Sequence, residues 1–241
     1  MDAQMTFKRY ELKYMLTRRQ AALLKAAMTG HMELDRFGHS SIRNIYLDTD
    51  SFRLVRRSIE KPLYKEKLRV RAYGRADRED AVFVELKKKF ESVVYKRRLT
   101  LPNREAMDAL EGGGPLPAIG QIAREIQAFR DFYGPSLKPA MFLSYEREAY
   151  YPTDGEDFRL TLDERILWRT DHMDLSAGCF GTSLLGSDQV LMELKTPGGI
   201  PLWMVDFLSA NGIRKISFSK YGAAYRQLMA ADNVMGGRRY A

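Results

Sequence analysis

The sequence is poor in the residues that build disulfides and histidine-rich metal sites. Its 241 residues include one cysteine, Cys179, and three histidines. A single cysteine excludes an intramolecular disulfide and a cysteine-rich zinc site. His31, His39 and His172 are scattered, without the spacing of metal ligands. We interpret the histidines as structural or surface residues, and Cys179, which has no basic neighbour in the sequence, as inert.

Long apolar runs and nucleotide-binding glycine motifs are also missing. No stretch approaches the roughly 18 uninterrupted apolar residues that a membrane helix needs. The first residues, Met1 to Gln4, lack the basic and apolar regions of a signal peptide. Neither a Gly-x-x-x-x-Gly-Lys-Ser/Thr loop nor a dinucleotide-binding glycine fingerprint occurs. We therefore expect a cytoplasmic protein with no membrane segment of its own, and leave a membrane-protein partner open.

Positive charge is abundant and is concentrated in one segment. The chain has a net charge of +8, and residues 56–104 hold 16 Lys and Arg against 7 Asp and Glu, a net of +9. The remaining residues therefore sum to about −1. A solvated surface is one interpretation of such a segment, and an anionic partner is the other: nucleic acid, an acidic membrane or a phosphorylated small molecule.

Charged and apolar residues alternate along several segments with the period of a β-strand. In residues 67–72, Lys67, Arg69 and Arg71 occupy one parity and apolar residues the other, and in 82–89 Glu85, Lys87 and Lys89 do the same. Successive side chains of a strand point to opposite faces, so each strand should have one charged and one apolar face. The same pattern recurs at 9–14, 158–163 and 191–195.

Other segments complete the predicted secondary structure. Further strands are predicted at 42–49, 93–101 and 142–150, which makes at least eight, mostly antiparallel. Helices are predicted at 17–30, 51–58, 103–111, 117–132, 201–211 and 220–232, with Thr17 as a cap and Pro102 and Pro201 at helix starts. No repeat or long linker interrupts them, so we expect one α+β domain over 1–241, with its core at about 5–230 and a short tail at 231–241.

The composition of the charged parity distinguishes this sheet from an ordinary half-exposed one. Its residues are almost all long charged side chains, with few Ser, Thr or Gln. Glu-x-Lys occurs three times on predicted strands, beginning at Glu11, Glu85 and Glu193. If the sheet closes, many like charges line a confined space, which is unfavourable without a bound polyanion. The pattern therefore favours a cationic interior over a solvated face.

These segments together resemble the VTC domain, the polyphosphate polymerase branch of the CYTH or triphosphate tunnel metalloenzyme superfamily. The similar landmarks, in chain order, are Arg9-Tyr10-Glu11-Leu12-Lys13-Tyr14, Ile45-Tyr46-Leu47-Asp48-Thr49, Leu68-Arg69-Val70-Arg71, Val84-Glu85-Leu86-Lys87, Ser144-Tyr145-Glu146-Arg147, Arg159-Leu160-Thr161-Leu162-Asp163, Met192-Glu193-Leu194-Lys195 and Phe218-Ser219-Lys220-Tyr221. Single motifs are unspecific, whereas their order and spacing cover roughly residues 5–230. The resemblance implies an eight-stranded antiparallel closed β-barrel, a tunnel, with flanking helices.

The resemblance also implies a set of site residues. Phosphate contacts would come from Lys13, Arg69, Arg71, Lys87, Lys96, Arg147, Arg159, Ser219 and Lys220. Glu193 would be the main ligand of a Mn²⁺ or Mg²⁺ ion. Glu11, Glu85 and Asp163 are either further metal ligands or partners of neighbouring cations. Lys13, Arg69, Arg71, Lys87, Arg147, Arg159 and Glu193 are the residues expected to support catalysis.

One departure from the superfamily pattern bears on the reaction. Hydrolases and cyclases of the superfamily typically begin with a Glu-x-Glu-x-Lys strand, whereas here the triplet is Arg9, Glu11 and Lys13. Exchanging the first carboxylate for a cation removes an acidic metal ligand, which favours the polymerase branch. We therefore expect transfer of the γ-phosphoryl group of ATP to inorganic polyphosphate.

Two alternatives stay open at this stage. A metal-dependent tripolyphosphatase or nucleoside triphosphatase would use the same tunnel, and a non-catalytic polyphosphate-binding module would need its cations alone. Glu193 counts against the module, because anion binding requires no carboxylate. A nucleic-acid partner is not expected, since the charges alternate along strands instead of following one exposed helix or groove.

Overall fold

A computed structural model describes residues 10–91, 93–155 and 157–237, and side chains within these ranges as far as residue 231. Six α-helices and ten strands form in the described residues. The strands are β1 (Tyr10–Thr17), β2 (Met32–Asp48), β3 (Tyr64–Tyr73), β4 (Ala81–Phe90), β5 (Val93–Pro102), β6 (Lys138–Pro152), β7 (Arg159–Arg169), β8 (Thr182–Ser183), β9 (Gln189–Thr196) and β10 (Lys215–Ile216). The helices are α1 (Arg18–Ala27), α2 (Arg53–Ile59), α3 (Asn103–Gly112), α4 (Gln121–Tyr133), α5 (Leu202–Ala210) and α6 (Lys220–Gly237).

The strands belong to one sheet. Eight of them are long, and the other two, β8 and β10, have two residues each. The order is β10-β1-β9-β7-β6-β2-β3-β4-β5, and β8 pairs with β7. Every pairing whose register is described is antiparallel. β5 and β10 end this order, so hydrogen bonds between the described strands do not close the sheet. The predicted antiparallel α+β architecture is confirmed, with an open hydrogen-bond path where the resemblance implied a closed barrel.

The chain groups into two compact units, each built from separate segments. The first unit contains the described residues up to 40 together with 145–166 and 185–218, and the second contains 41–144, 167–184 and the described residues from 219 onward. β2, β6 and β7 each contribute residues to both units. The single domain expected from the sequence stays a prediction.

In the second unit, one face of β3, β4 and β5 is apolar and packs against helices. Leu68, Val70, Val84 and Leu86 are fully buried in a core that also contains residues of α3 and α4, such as Ile126. These four residues hold the even positions that the alternation assigned to the apolar face. Burying such a side chain contributes about 1.5–3 kcal/mol, so the core fixes which face the odd, charged positions occupy.

In the first unit, burial of one apolar face likewise orients β1, β7 and β9. Leu16, Leu160 and Leu194 are buried with Leu24 of α1 and Met204 of α5. Helix α1 begins with a capping box, since the Thr17 side chain accepts from Gln20 N and the Gln20 side chain accepts from Thr17 N. The cap predicted at Thr17 is therefore present, and the charged parity of these strands lies on the face away from this core.

The first half of β2 is the main difference from the predicted secondary structure. The sequence indicates a strand only over 42–49, whereas β2 begins at Met32. Residues 32–41 lack apolar alternation and include Gly38, whose φ of 57° is in the left-handed region. A strand of this kind is held by its neighbours and leaves no period-two signal in its own sequence.

None of the described helices combines the length and the apolar character needed to cross a membrane.

Candidate active site

The charged face of the first unit is built from three neighbouring strands. On β1, β9 and β7, Glu11 lies opposite Lys195, which lies opposite Arg159. One row further, Lys13 lies opposite Glu193, which lies opposite Thr161. Because residues directly opposite in an antiparallel pair have Cβ atoms about 4.5–5.5 Å apart, each row forms one group of neighbouring side chains.

Lys13 is held between two carboxylates. Its Nζ is 3.0 Å from Glu11 Oε1 and 3.4 Å from Glu193 Oε1, and it donates to the Phe218 carbonyl at 3.0 Å. The register that places Lys13 opposite Glu193 creates one pair, and the i, i+2 spacing on β1 creates the other. Lys13 therefore compensates the charge of Glu193, which is only 7% exposed.

Arg147, on β6, is held by Asp163 through two parallel hydrogen bonds. Its Nε donates to Asp163 Oδ1 at 2.6 Å and its Nη2 to Oδ2 at 2.7 Å, while Nη2 is 3.6 Å from Glu193 Oε2. Burial opposes the charged form, but Tyr145, Asp163 and Glu193 outweigh it and raise the pKa of Arg147 well above its usual range. The guanidinium is therefore fixed in position as a permanent cation beside Glu193.

Lys13, Arg147, Glu11, Asp163 and Glu193 form the first-unit cluster. Asp163 is fully buried with both oxygens bound by Arg147, and Glu193 differs because these contacts to its oxygens are longer than ordinary charge-assisted hydrogen bonds. Thr161, opposite Glu193, is 8% exposed, and its Oγ1 is buried without a hydrogen-bond partner. The cluster therefore combines cations held by carboxylates with one buried hydroxyl, that of Thr161, that has no hydrogen-bond partner.

The charged face of the second unit is strongly cationic. Among the described residues of β3, β4 and β5, the register places eight cations and one carboxylate, Glu85, on the same face of the sheet. This face carries the odd-numbered residues of β3 and β4 and the even-numbered residues of β5. The cations are Lys65, Lys67, Arg69, Arg71, Lys87, Lys89, Lys96 and Arg98. We call this side of the three strands, with Glu85, the cationic face. Lys67, Lys87 and Lys96 stand directly opposite one another across the three strands. Like charges directly opposite one another repel, so a bound anion would stabilise this face.

Glu85 lies at the centre of the cationic face and forms ion pairs with four of its cations. Arg69 donates to Glu85 Oε2 at 2.9 and 2.7 Å, Arg98 donates to Oε1 at 2.8 and 2.6 Å, and Lys96 Nζ is 2.8 Å from Oε1. Burial disfavours ionisation of this 2% exposed residue, but Arg69, Arg71 and Lys96 hold its pKa well below the usual range. Glu85 therefore stays ionised and aligns the cations around it.

Arg71 and Arg69 are also tied to β2. Arg71 Nε donates to Asn44 Oδ1 at 2.9 Å, and Arg69 Nη1 donates to the Tyr46 hydroxyl at 3.1 Å. Burial would raise the pKa of Tyr46, but the charges of Arg69, Lys67 and Arg71 lower it to about 8. Tyr46 stacks on Tyr221 of α6, with ring centroids 4.4 Å apart. Asn44 and Tyr46 thus orient the two arginines.

The start of α6 meets the same face. Lys67 Nζ donates to Ser219 Oγ at 3.2 Å, and the Tyr221 hydroxyl donates to the buried Asp48 at 2.8 Å. Lys220, between Ser219 and Tyr221, is the first residue of α6 and is half-buried. The contact from Lys67 therefore brings predicted Ser219 to the cationic face.

Contacts in the described residues thus gather the predicted residues into two groups. The first unit brings together Lys13, Arg147, Glu193, Glu11 and Asp163, and the second brings Arg69, Arg71, Lys96 and Glu85 together. Lys87 is in the lysine row, and Arg159 lies over the Tyr151 ring at 5.0 Å. Arg9 lies outside the described residues.

The carboxylates do not by themselves form a metal cage. Among the described residues, no three or more His, Cys, Asp or Glu side chains are arranged to hold a metal ion. Glu11 pairs with Lys13, Asp163 with Arg147, and Glu85 with four cations. Mg²⁺ in phosphate-binding sites commonly uses one or two carboxylates with substrate oxygens and water, and Glu193 with the Thr161 hydroxyl fits that donor set.

Sequence comparison assigns this arrangement to a known family. The model of the VTC domain matches residues 8–229, more than nine-tenths of the chain. The chain belongs to the VTC domain family. The match spans nearly the same residues as the predicted core. The comparison with curated proteins finds no match to this VTC-domain chain.

Solved structures support the fold of this VTC-domain chain. A proposed adenylate cyclase from Bacillus halodurans is similar with a TM-score of 0.55 and 20% identity, over 88% of this chain and 95% of that one. A proposed adenylyl cyclase from Hippeastrum, described as having a dominant triphosphatase activity, gives a TM-score of 0.52 and 17% identity, over 90% of this chain and 94% of that one. At these identities the similarity establishes the fold.

Several residues of the two groups were not predicted as site residues. Lys67 is in the alternating pattern but outside the residues carried over from the family, and Arg98 follows Lys96 at the same parity. Parity alone would have found both. Thr161 shares the parity of Arg159 and Asp163, but its place beside Glu193 depends on strand pairing. Asn44 and Tyr46 give no such signal, because their roles depend on contacts across strands.

Proposed function

We propose that this VTC-domain chain is a polyphosphate polymerase, which transfers the γ-phosphoryl group of ATP to the end of an inorganic polyphosphate chain and releases ADP. The observation that carries the proposal is the cationic face, with eight cations and one carboxylate on three neighbouring strands. Rows of cations repeated along strands suit an extended polyanion that presents one negative charge after another.

The reaction asks the protein for positioning and charge neutralisation. A terminal oxygen of polyphosphate bonds to the γ-phosphorus of ATP, and the bond from that phosphorus to the β,γ-bridging oxygen breaks. The bonding electrons leave with ADP, and the chain gains one phosphate. Because the acceptor oxygen is already ionised, the step requires no general base.

The first-unit cluster suits the reacting phosphates. Arg147, fixed by Asp163, offers a planar cation that needs no rearrangement as charge moves towards the leaving oxygen. Lys13, which lies opposite Glu193, adds a compact ammonium group. Arg69, Arg71, Lys87 and Lys96 would hold the chain or the nucleotide phosphates.

A divalent cation, Mg²⁺ or Mn²⁺, fits beside Glu193. When bound, it would offset negative charge on the phosphate oxygens and orient them. Glu193 would supply the protein carboxylate, and substrate oxygens and water the remaining ligands. Lys13, whose Nζ is 3.4 Å from Glu193 Oε1, would offset the charge of this carboxylate in the absence of the ion.

Hydrolysis of triphosphates is the second candidate function. The structural relative from Hippeastrum, described as having a dominant triphosphatase activity, favours it. Against it, Asp163 and Glu85 have both oxygens engaged by arginine or lysine, which leaves few carboxylate oxygens for a second, water-activating metal. A non-catalytic polyphosphate-binding module would have no use for a buried Glu193 among cations, since its burial is costly.

One assay separates these functions. Purified protein is incubated with ATP and Mn²⁺, with and without a short polyphosphate primer, and products are resolved by gel and phosphorus NMR. A polymerase yields ADP with lengthening chains. Orthophosphate release without chain growth would support the triphosphatase, and unchanged ATP and primer the binding module.

A further inference from the structure

The hydroxyl of Thr161 is a buried polar group that the first-unit cluster leaves unsatisfied. Thr161 is 8% exposed, and its Oγ1 has no hydrogen-bond partner, although most buried side-chain polar atoms have one. The neighbouring positions Leu160 and Leu162 are apolar and buried in the core, which places Thr161 on the charged face. An orphaned hydroxyl at this position requires an explanation.

The register places this hydroxyl beside the predicted metal carboxylate. Thr161 lies directly opposite Glu193 in the β7–β9 pair, so the two Cβ atoms are about 4.5–5.5 Å apart. Lys13 and Arg147 approach the Glu193 oxygens at 3.4 and 3.6 Å, and neither forms a hydrogen bond with the Thr161 hydroxyl. Valine has nearly the same shape as threonine, so packing alone does not account for a hydroxyl here.

We propose that Thr161 Oγ1 is a positioning group for the divalent cation at Glu193, which it binds directly or through a water of the ion's hydration shell. The inference rests on the proposed function, because it uses the metal site assigned there. A hydroxyl oxygen suits a hard cation, and a metal-bound water satisfies a buried hydroxyl that is otherwise unpaired. Loss of an outer-shell partner typically lowers metal affinity by about 10–100-fold.

The variant Thr161→Val tests the inference through two opposite effects. Removing an unsatisfied hydroxyl should raise the melting temperature of the metal-free protein by about 2 °C or more. The same change should weaken Mn²⁺ binding at least tenfold, measured by calorimetry in the presence of tripolyphosphate. Thr161→Ser keeps the hydroxyl and should retain Mn²⁺ affinity within about threefold.

Ser144→Ala is the matched control. Ser144 is 1% exposed and its Oγ is also buried without a partner, but it belongs to the second unit. This variant should leave Mn²⁺ affinity unchanged. Equal Mn²⁺ affinity in Thr161→Val and the wild type would overturn the inference and leave the proposed function intact. Failure of the wild type to bind Mn²⁺ with tripolyphosphate would contradict the metal site of the proposed function itself.

Discussion

At the scale of single residues, Glu193 and Asp163 differ in their contacts with Arg147. Arg147 binds both Asp163 oxygens at 2.6 and 2.7 Å, whereas its Nη2 lies 3.6 Å from Glu193 Oε2. We therefore propose different roles for the two carboxylates beside this arginine. Asp163 orients Arg147, and Glu193 is the proposed ligand of the metal ion.

Substitution of Glu193 tests this division. Glu193→Gln should lower kcat at least 100-fold, because a neutral amide is a poor ligand for a hard cation, while the melting temperature changes little. The measurements are ADP release with Mn²⁺ and thermal unfolding. Glu60→Gln, at an exposed position after α2, is the control and should behave as wild type. Normal turnover by folded Glu193→Gln would exclude Glu193 as the metal ligand.

Glu85 gives a second prediction, on stability and pH. Its pKa is depressed in the folded protein, so its contribution is complete above the usual Glu pKa of 4.5 and is lost as the pH falls towards the lower, folded value. In that acidic range the free energy of unfolding should change by up to about 1.4 kcal/mol per pH unit through this group. Glu85→Gln should flatten this dependence, as measured by urea unfolding across the range.

The same variant should be less stable at neutral pH. Breaking a buried ion pair costs roughly 3–5 kcal/mol, and we expect about 2 kcal/mol because Lys96 and Arg98 are 46% and 36% exposed. Polyphosphate should recover part of that loss, since it replaces the missing negative charge. Exposed Glu79→Gln serves as the control, and an equally stable Glu85→Gln would contradict the role of Glu85 at the centre of the cationic face.

At the scale of elements, adjacent residues of β4 provide a matched pair. Lys87 lies on the cationic face opposite Lys67 and Lys96, whereas Lys88 lies opposite Glu66 and Tyr95 on the other face. Lys87→Gln should weaken polyphosphate binding about tenfold, and Lys88→Gln should leave it within twofold. Calorimetry with polyphosphate of defined length measures both. Equal losses would mean that total charge, not the face of the strand, determines affinity.

The sequence predicted elements best where one face is buried. The eight long strands and six helices were all expected, because apolar residues recur with period two or along a helix face. β8 and β10, each of two residues, are too short to carry a period, and residues 32–41 of β2 lack one.

The site was predicted less completely than the fold. Parity placed Arg69, Arg71, Lys87 and Glu85 on one face, as the register shows. Whether a carboxylate there binds metal or cations depends on which strands are neighbours. The pairing of Asp163 with Arg147 joins residues of different strands, which no local pattern contains.

At the scale of the whole molecule, binding of polyphosphate should stabilise the folded chain. A ligand that binds only the native state contributes roughly 2.7 kcal/mol at 100 times its dissociation constant. For a chain of this length that corresponds to a rise in melting temperature of about 5–10 °C. Thermal unfolding with and without polyphosphate, at constant ionic strength, measures it. Sulfate at the same ionic strength is the control, and an equal shift with sulfate would contradict specific binding.

Tyr46 gives the protein an optical signal of its own. Its hydroxyl titrates near pH 8 because Arg69, Lys67 and Arg71 favour the phenolate, and those cations belong to the face that we assign to phosphates. A bound polyanion offsets their charge, so the Tyr46 pKa should return towards 10. Between these two pH values, ligand binding should therefore convert phenolate to phenol and lower the near-ultraviolet phenolate absorbance. Tyr46→Phe should remove the part of the change due to Tyr46 and leave any contribution of Tyr73, whose pKa Arg71 and Arg98 also lower against the effect of burial. Occupancy of the cationic face thus becomes readable in a spectrophotometer without any label.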